Sequence, residues 1–487
     1  FADHSRETYD AVLDTCERIA REKFAPFNRT VDTQEPHFDG DKVILPQCTH
    51  DAARAYAGSG MLSASQDYDE GGMQLPCTVE TAANSFFSMA SVSIGSNLLT
   101  KGNAGLLMVH GTEMQKAVFA RNEFNGRFSG TMCLSEPQAG SSLSDITTRA
   151  VPDGEGSGSD PLGPRYRLKG NKMWISSGEH ELNENIVHLV LAKIPGPDGK
   201  AIPGTKGISL FIVPKFLVNA DGSLGAKNAV SCGSIEHKMG IRGSATCVMN
   251  YDGATGYLVG EENKGLAGMF VMMNIARLGV GVQGLAQAEG AYQNAVQYAQ
   301  DRRQGRSLTG AKDPGEKADT LFVHPDIRRM LMEAKAFTEG MRAFALWGGF
   351  QSDLSHNAPT PEERQLADDL LSLLMPVIKG YGTDKGYEVC TNMQQVFGGH
   401  GYVEEWGMSQ RVRDARIAQI YEGANGIQAL DLVGRKLPAN GGRSIQAFFG
   451  LVASECAQAK ANPSLEKIAT ALEAALGDLQ ASTMWLM

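Results

Sequence analysis

Residues 395–428 read QVFGGHGYVEEWGMSQRVRDARIAQIYEGANGIQ. The stretch breaks twice where it otherwise has the spacing of helix. The first break is the pair Gly398–Gly399, after an apolar run ending at Phe397. Such a pair is either a helix C-cap or a turn that lets backbone approach a ligand closely. The second is Tyr421-Glu422-Gly423, with apolar periodicity resuming behind it. A carboxylate placed where the backbone stops being regular is either a solvated loop residue or a base held in a pocket.

Working outward, the segments on either side sort into three textures. Residues 1–130 read mostly as helix: 7–27 have apolar residues at helical spacing and stop near Pro26, and 78–99 and 113–124 behave alike. Residues 67–76 are a glycine-rich loop. Residues 131–255 carry short runs with alternating or continuous apolar character, separated by Gly, Pro and Asp, which predicts a β domain with a flexible loop at 152–164. Helix returns over 256–440, in long stretches at 265–304, 324–350 and 362–399, and residues 441–487 form an Ala-rich helical tail. The expected class is α+β, ordered as a helical domain, a β domain, a four-helix-bundle-like domain and an extra C-terminal helical region.

The bulk properties narrow the function. A chain of 487 residues exceeds one ordinary core. Its 45 basic against 55 acidic residues give a net charge of −10, which disfavours nucleic acid as a partner. No uninterrupted apolar run approaches the ~18–20 residues a membrane helix needs, so no membrane span is expected. No basic segment followed by an apolar one opens the chain, so no signal peptide is expected; a start at Phe1 leads us to expect residues upstream. The eight cysteines are scattered, with no CxxC pair and no Cys/His cluster, so we expect no metal site and a reduced, cytoplasmic, bacterial-type soluble setting.

Four stretches together resemble the FAD-dependent acyl-CoA dehydrogenases: MCLSEPQAGSS (132–142), NKMWISSGEH (171–180), YAQDRRQGRSL (298–308) and the 395–428 segment. Their order and spacing match the family over nearly all of residues 1–437. Residues 184–194, 207–216, 235–244 and 272–281 look closest to the branch containing 3-methylmercaptopropionyl-CoA dehydrogenase, which carries an extra C-terminal helical region. The resemblance implies a fold, a cofactor (FAD) and a reaction. An acyl-CoA thioester gives its α-proton to a base and its β-hydrogen to flavin as hydride, forming trans-2-enoyl-CoA.

Site residues follow from the same resemblance. Glu422 corresponds to the base; the position some relatives use instead is Ala276, which cannot serve. The Glu422 N–H is expected to polarise the thioester carbonyl. Cys133, Leu134, Ser135, Trp174, Ile175 and Ser176 match flavin-contact positions, with serine replacing the more usual threonine at 135 and 176. Read by itself, Trp174 is ordinary strand core. Arg302 and Gln304 match residues that reach the FAD of a neighbouring subunit, and Gln395, Gly398, Gly399, Ala424 and Gly426 match further cofactor positions. Ala424 stands where threonine is common, and AGSS with Asp145 displaced stands for the usual AGSD. Ser141, Asn274, Arg277, Tyr421 and Gly423 match the substrate side, Arg277 on the CoA-binding face. The implied partners are an acyl-CoA, an electron-transfer flavoprotein and a second copy of the chain, a homodimer being favoured over a tetramer. An acyl-CoA oxidase and a DNA-associated alkylation-response flavoprotein are the alternatives on this scaffold.

Overall fold

The computed structural model describes residues 1–95 and 97–487, residues 97 and 98 by their backbone. The N-terminal helices include α1 (Arg6–Ile19), α2 (Gln47–Gly58), α3 (Cys77–Ala90) and α4 (Asn97–His110). Ser5 caps α1 by accepting the Thr8 N–H, and Thr8 returns a bond to the Ser5 N–H, so two orphan donors are satisfied. Phe24, Tyr56 and Phe87 meet edge-on in the buried core of this region.

The expected single helix over 78–99 divides. Helix α3 stops at Ala90, Ser91 turns extended (φ −164, ψ 105), and a turn follows at 92–94. Serines and a valine in the run SVS lower helix propensity there, because serine side chains compete for the backbone and β-branching restricts χ1. Ser96, within the same expected helix, lies outside the described residues.

The β region runs somewhat beyond the expected bounds, from β1 (Phe128–Cys133) through β2 (Arg149–Pro152), β3 (Arg165–Ser176), β4 (Asn185–Lys193), β5 (Ile208–Pro214) and β6 (Val230–Ile235) to β7 (Thr246–Val259). The order is β6-β7-β3-β2-β4-β1, and β5 bridges β4 and β7, so the sheet curls into a barrel-like closure. Strands β4 and β5 are almost entirely buried, which explains their continuous apolar runs.

Three long helices build the second helical region: α5 (Gly265–Asp301), α6 (Pro325–Asn357) and α7 (Pro361–Val396). Helices α5 and α7 touch backbone to backbone. A Cβ on Gly284 would lie 2.6 Å from the Gly382 carbonyl, and one on Gly386 would lie 2.5 Å from the Gly284 carbonyl. These close approaches bring the side chains of α5 and α7 to one site. Helix α5 is also long and apolar enough to cross a membrane by length and composition, although Asn274 and Arg277 interrupt its apolar run. Half of its most apolar window is buried, and it packs against α3, α4, α6 and α7, so its apolarity serves a core.

The short helices that follow include α8 (Met408–Arg416) and α9 (Asn425–Asp431), before the tail helices α10 (Arg443–Lys460) and α11 (Glu466–Leu486). Ile445, Phe449 and Leu476 of the tail join Leu373 and Leu374 of α7 in one apolar cluster.

Candidate active site

Glu422 lies in the irregular segment between α8 and α9 with φ 54, a left-handed backbone that costs a non-glycine residue about 1–2 kcal/mol. Gly423 follows at φ 83. The turn points the carboxylate into the interior, where Oε2 is buried with no hydrogen-bond partner among the described residues. Burial pushes the carboxyl up to about 7, and the nearby charges of Lys379 and Arg277 pull the other way. The Glu422 N–H takes no backbone partner among the described residues, which leaves a donor beside the carboxylate. A desolvated carboxyl poised near neutrality is suited to proton abstraction.

Of the residues expected with it, Tyr421 donates its hydroxyl to Gln283 Oε1 on α5. Arg277 is not an open basic residue: it is buried, with its Nη1 3.1 Å from Asp431 Oδ2, and its Nε has no partner among the described residues. Asn274 is exposed one turn away on α5. Ser141 is exposed in the loop after β1, and the neighbouring Ser142 donates to the displaced Asp145 at 2.6 Å.

A second group forms where β1 and β3 end side by side. The Met173 N–H donates to the Ser135 carbonyl at 3.0 Å, and the buried Lys172 Nζ bonds the Leu134 carbonyl (2.9 Å) and Glu136 (2.8 Å). Cys133 and Ile175 point into the barrel core, while Ser135 and Ser176 are half-buried. Trp174 is not strand core. The β3–β7 register shifts between Cys247 and Met249, leaving Met173 and Trp174 as a bulge. Trp174 takes φ 60 there and stands 53% exposed. A strained, exposed tryptophan beside two free strand ends is a platform for a flat ligand.

A third group lines a cavity of about 560 Å³ at the C-terminal end of α5, apart from the residues around Glu422. Arg302 borders it with Tyr298, Phe397, His400 and Trp406. Tyr298 stacks on Phe397 at 4.1 Å, and its hydroxyl bonds His400 Nδ1 at 2.8 Å. Gly398, at φ 56 and ψ −135, takes a conformation open to glycine and starts the short helix that carries His400. Gln395 is exposed at the end of α7, and Gln304 is held by its backbone to Asp319 and His324. Ala424 caps α9, and a Cβ at Gly426 would meet nothing within 4 Å.

Sequence reasoning missed Lys379, Asn425 and Gln428, which hold the Glu422 turn, and Gln283. No motif flags them, because their meaning lies in contacts between α5, α7 and α9.

Comparison with known proteins identifies the family. Family models for the acyl-CoA dehydrogenase middle domain and C-terminal domain match residues 131–254 and 263–437. The 3-methylmercaptopropionyl-CoA dehydrogenase of Ruegeria pomeroyi is 43% identical over 464 residues, which span 95% of this chain and 76% of that one. This chain belongs to the acyl-CoA dehydrogenase family. A butyryl-CoA dehydrogenase of Syntrophomonas wolfei is 35% identical over 93% of this chain and 73% of that one. In fold, the Caenorhabditis elegans ACDH-11 structure in complex with C11-CoA superposes with a TM-score of 0.79 at 22% identity, over 97% of this chain and 75% of that one. As an acyl-CoA dehydrogenase, the chain is an FAD-dependent oxidoreductase.

The residues present fit FAD. The exposed Trp174 offers an aromatic face, the ends of β1 and β3 offer backbone and hydroxyl groups, and the open cavity at Arg302 offers a cation among aromatic rings.

Proposed function

We propose that Glu422 is the base that takes the α-proton of a short or medium acyl-CoA, with trans-2-enoyl-CoA as product. The observation that carries this is the buried, unpartnered Oε2 of a glutamate held left-handed and raised to about 7. At neutral pH a large share of Glu422 is ionised, and its basicity exceeds that of a solvated carboxylate. The Glu422 N–H, without a backbone partner among the described residues, is then the donor to the thioester carbonyl and stabilises the charge that develops as the proton leaves. When bound, FAD supplies the acceptor for the β-hydrogen. Trp174, Ser135 and Ser176 hold and orient its ring, and Arg302 serves the cofactor of a second subunit, so the working unit is a homodimer. Electrons leave to an electron-transfer flavoprotein.

For the substrate, the likeness to the Ruegeria and Syntrophomonas enzymes supports 3-methylthiopropanoyl-CoA together with short straight-chain acyl-CoAs. A thioether sulfur differs little in size and polarity from a methylene, so an apolar pocket built for one admits the other.

The test is Glu422→Gln with butyryl-CoA. FAD content should be unchanged and enoyl-CoA formation should fall by roughly 10²–10⁴. Retained turnover would move the base elsewhere. Glu404 is a poor substitute, because it pairs with Arg413 at 3.0 Å in an exposed position.

A further inference from the structure

The turn that presents Glu422 is held from behind by three side chains. Lys379 on α7 is fully buried, and its Nζ donates to the Gly423 carbonyl at 2.7 Å and to Asn425 Oδ1 at 2.8 Å. Asn425 is tied back to α7 by its Nδ2, which donates to Thr383 Oγ1 (2.9 Å) and Asp384 Oδ1 (2.7 Å). Gln428, buried on α9, donates Nε2 to the carbonyls of Glu422 (3.2 Å) and Gly423 (3.1 Å). Two successive left-handed residues would relax if these carbonyls were released, and the carboxylate would swing with them. The fit is close: a Cβ on Gly423 would lie 2.5 Å from Gln428 Nε2.

We propose that Lys379 is a positioning residue for the dehydrogenation: with Asn425 and Gln428 it clamps the Glu422–Gly423 turn and sets the carboxylate in its productive direction.

The choice of lysine carries a second part of the inference. Both bonds made by the buried Nζ go to neutral acceptors, and among the described residues it makes no ion pair within 4.0 Å. A buried ammonium is costly unless its charge serves a neighbour, and a glutamine would supply the same donor. The neighbour is Glu422, whose charged form Lys379 favours. The other charged and titratable groups facing Glu422 are Arg277 of α5, with Asp431 and Arg435 behind it, and Tyr421 of the same loop, while Asp384 of α7 acts on Lys379. Lys379 therefore does two things: its hydrogen bonds fix the turn, and the charge of its ammonium, which burial lowers to about 8, keeps the base ionisable near neutral pH.

This rests on Glu422 being the base, so the experiment separates the two. FAD-loaded wild type, Lys379→Gln, Lys379→Met, Lys379→Arg and Gln428→Leu are assayed with butyryl-CoA from pH 5.5 to 9. The carboxyl band absent from Glu422→Gln is titrated in parallel by infrared difference spectroscopy. Lys379→Gln keeps a donor but loses the charge, so the rising limb and the infrared midpoint should move up by about one unit or more, with the high-pH plateau nearly kept. Lys379→Met should show the same upward shift and a plateau roughly ten- to a hundredfold lower. Lys379→Arg should restore the wild-type midpoint. Gln428→Leu should lower the plateau and leave the midpoint unmoved. A wild-type midpoint in Lys379→Gln would overturn the charge role, and a wild-type plateau in both Lys379→Met and Gln428→Leu would overturn the clamp. If wild type binds FAD but forms no enoyl-CoA, the function above fails, while the infrared midpoints still decide what Lys379 does to Glu422. If Lys379→Met does not fold, Lys379→Gln and Gln428→Leu carry the decision.

Discussion

The Arg277 guanidinium on α5 reaches Asp431 on α9 at 3.1 Å, and both side chains are almost out of solvent. The pair absorbs a positive charge that would otherwise act fully on Glu422. Asp431→Asn should therefore release Arg277, favour the ionised base and move the rising limb of kcat/KM to lower pH. Leaving a buried cation unpaired should also cost about 3 kcal/mol or more, read as a lower Tm. An unmoved limb would show that Arg277 is screened from Glu422.

The rise of Glu422 from 4.5 to about 7 has a sign in both activity and stability. Activity needs the ionised form, so kcat/KM should climb through about pH 7 and level off above it. For stability, a carboxyl raised in the folded state adds stability that is full below about 4.5 and is lost as pH rises through about 7. Glu422→Gln should thus gain in Tm over wild type between pH 5.5 and pH 8, read by thermal melts at each pH.

Trp174 contributes little to the core, because it stands exposed on its bulge. Trp174→Ala should keep Tm within a few degrees while weakening FAD, measured as flavin retained through gel filtration. A large loss of Tm with undiminished flavin would return Trp174 to a packing role.

Arg302 borders an open, aromatic cavity with no salt bridge of its own among the described residues. If the cavity receives part of a second subunit's FAD, sedimentation at micromolar concentration should give a dimer. Arg302→Ala should lower FAD occupancy without unfolding either subunit. A monomer with full FAD occupancy would contradict the cross-subunit assignment.

For substrate choice, kcat/KM on 3-methylthiopropanoyl-CoA and on pentanoyl-CoA should agree within roughly 10–200-fold, the range an apolar pocket supplies for one methylene. A ratio beyond about a thousandfold would mean that a polar contact reads the sulfur.

The sequence by itself determined the family and the α+β class, and it singled out Glu422 as the candidate base. Those rest on residue types at fixed spacing, and four motifs kept that spacing from residue 132 to residue 428. The resemblance also marked the ends of β1 and β3 and put Trp174 among the flavin contacts, whereas residue pattern alone read Trp174 as ordinary strand core. Tertiary structure decided the rest. Trp174 faces outward because β3 bulges against β7, and a bulge depends on the partner strand's register. Arg277 is buried because Asp431 arrives from a helix 154 residues away in sequence. Lys379 meets the Glu422 turn because the segment leading into α9 folds back on α7, where Asn425 bonds Thr383 and Asp384. Burial and charge at Glu422 come from these long-range approaches, and periodicity along one segment carries no information about which segment packs against it.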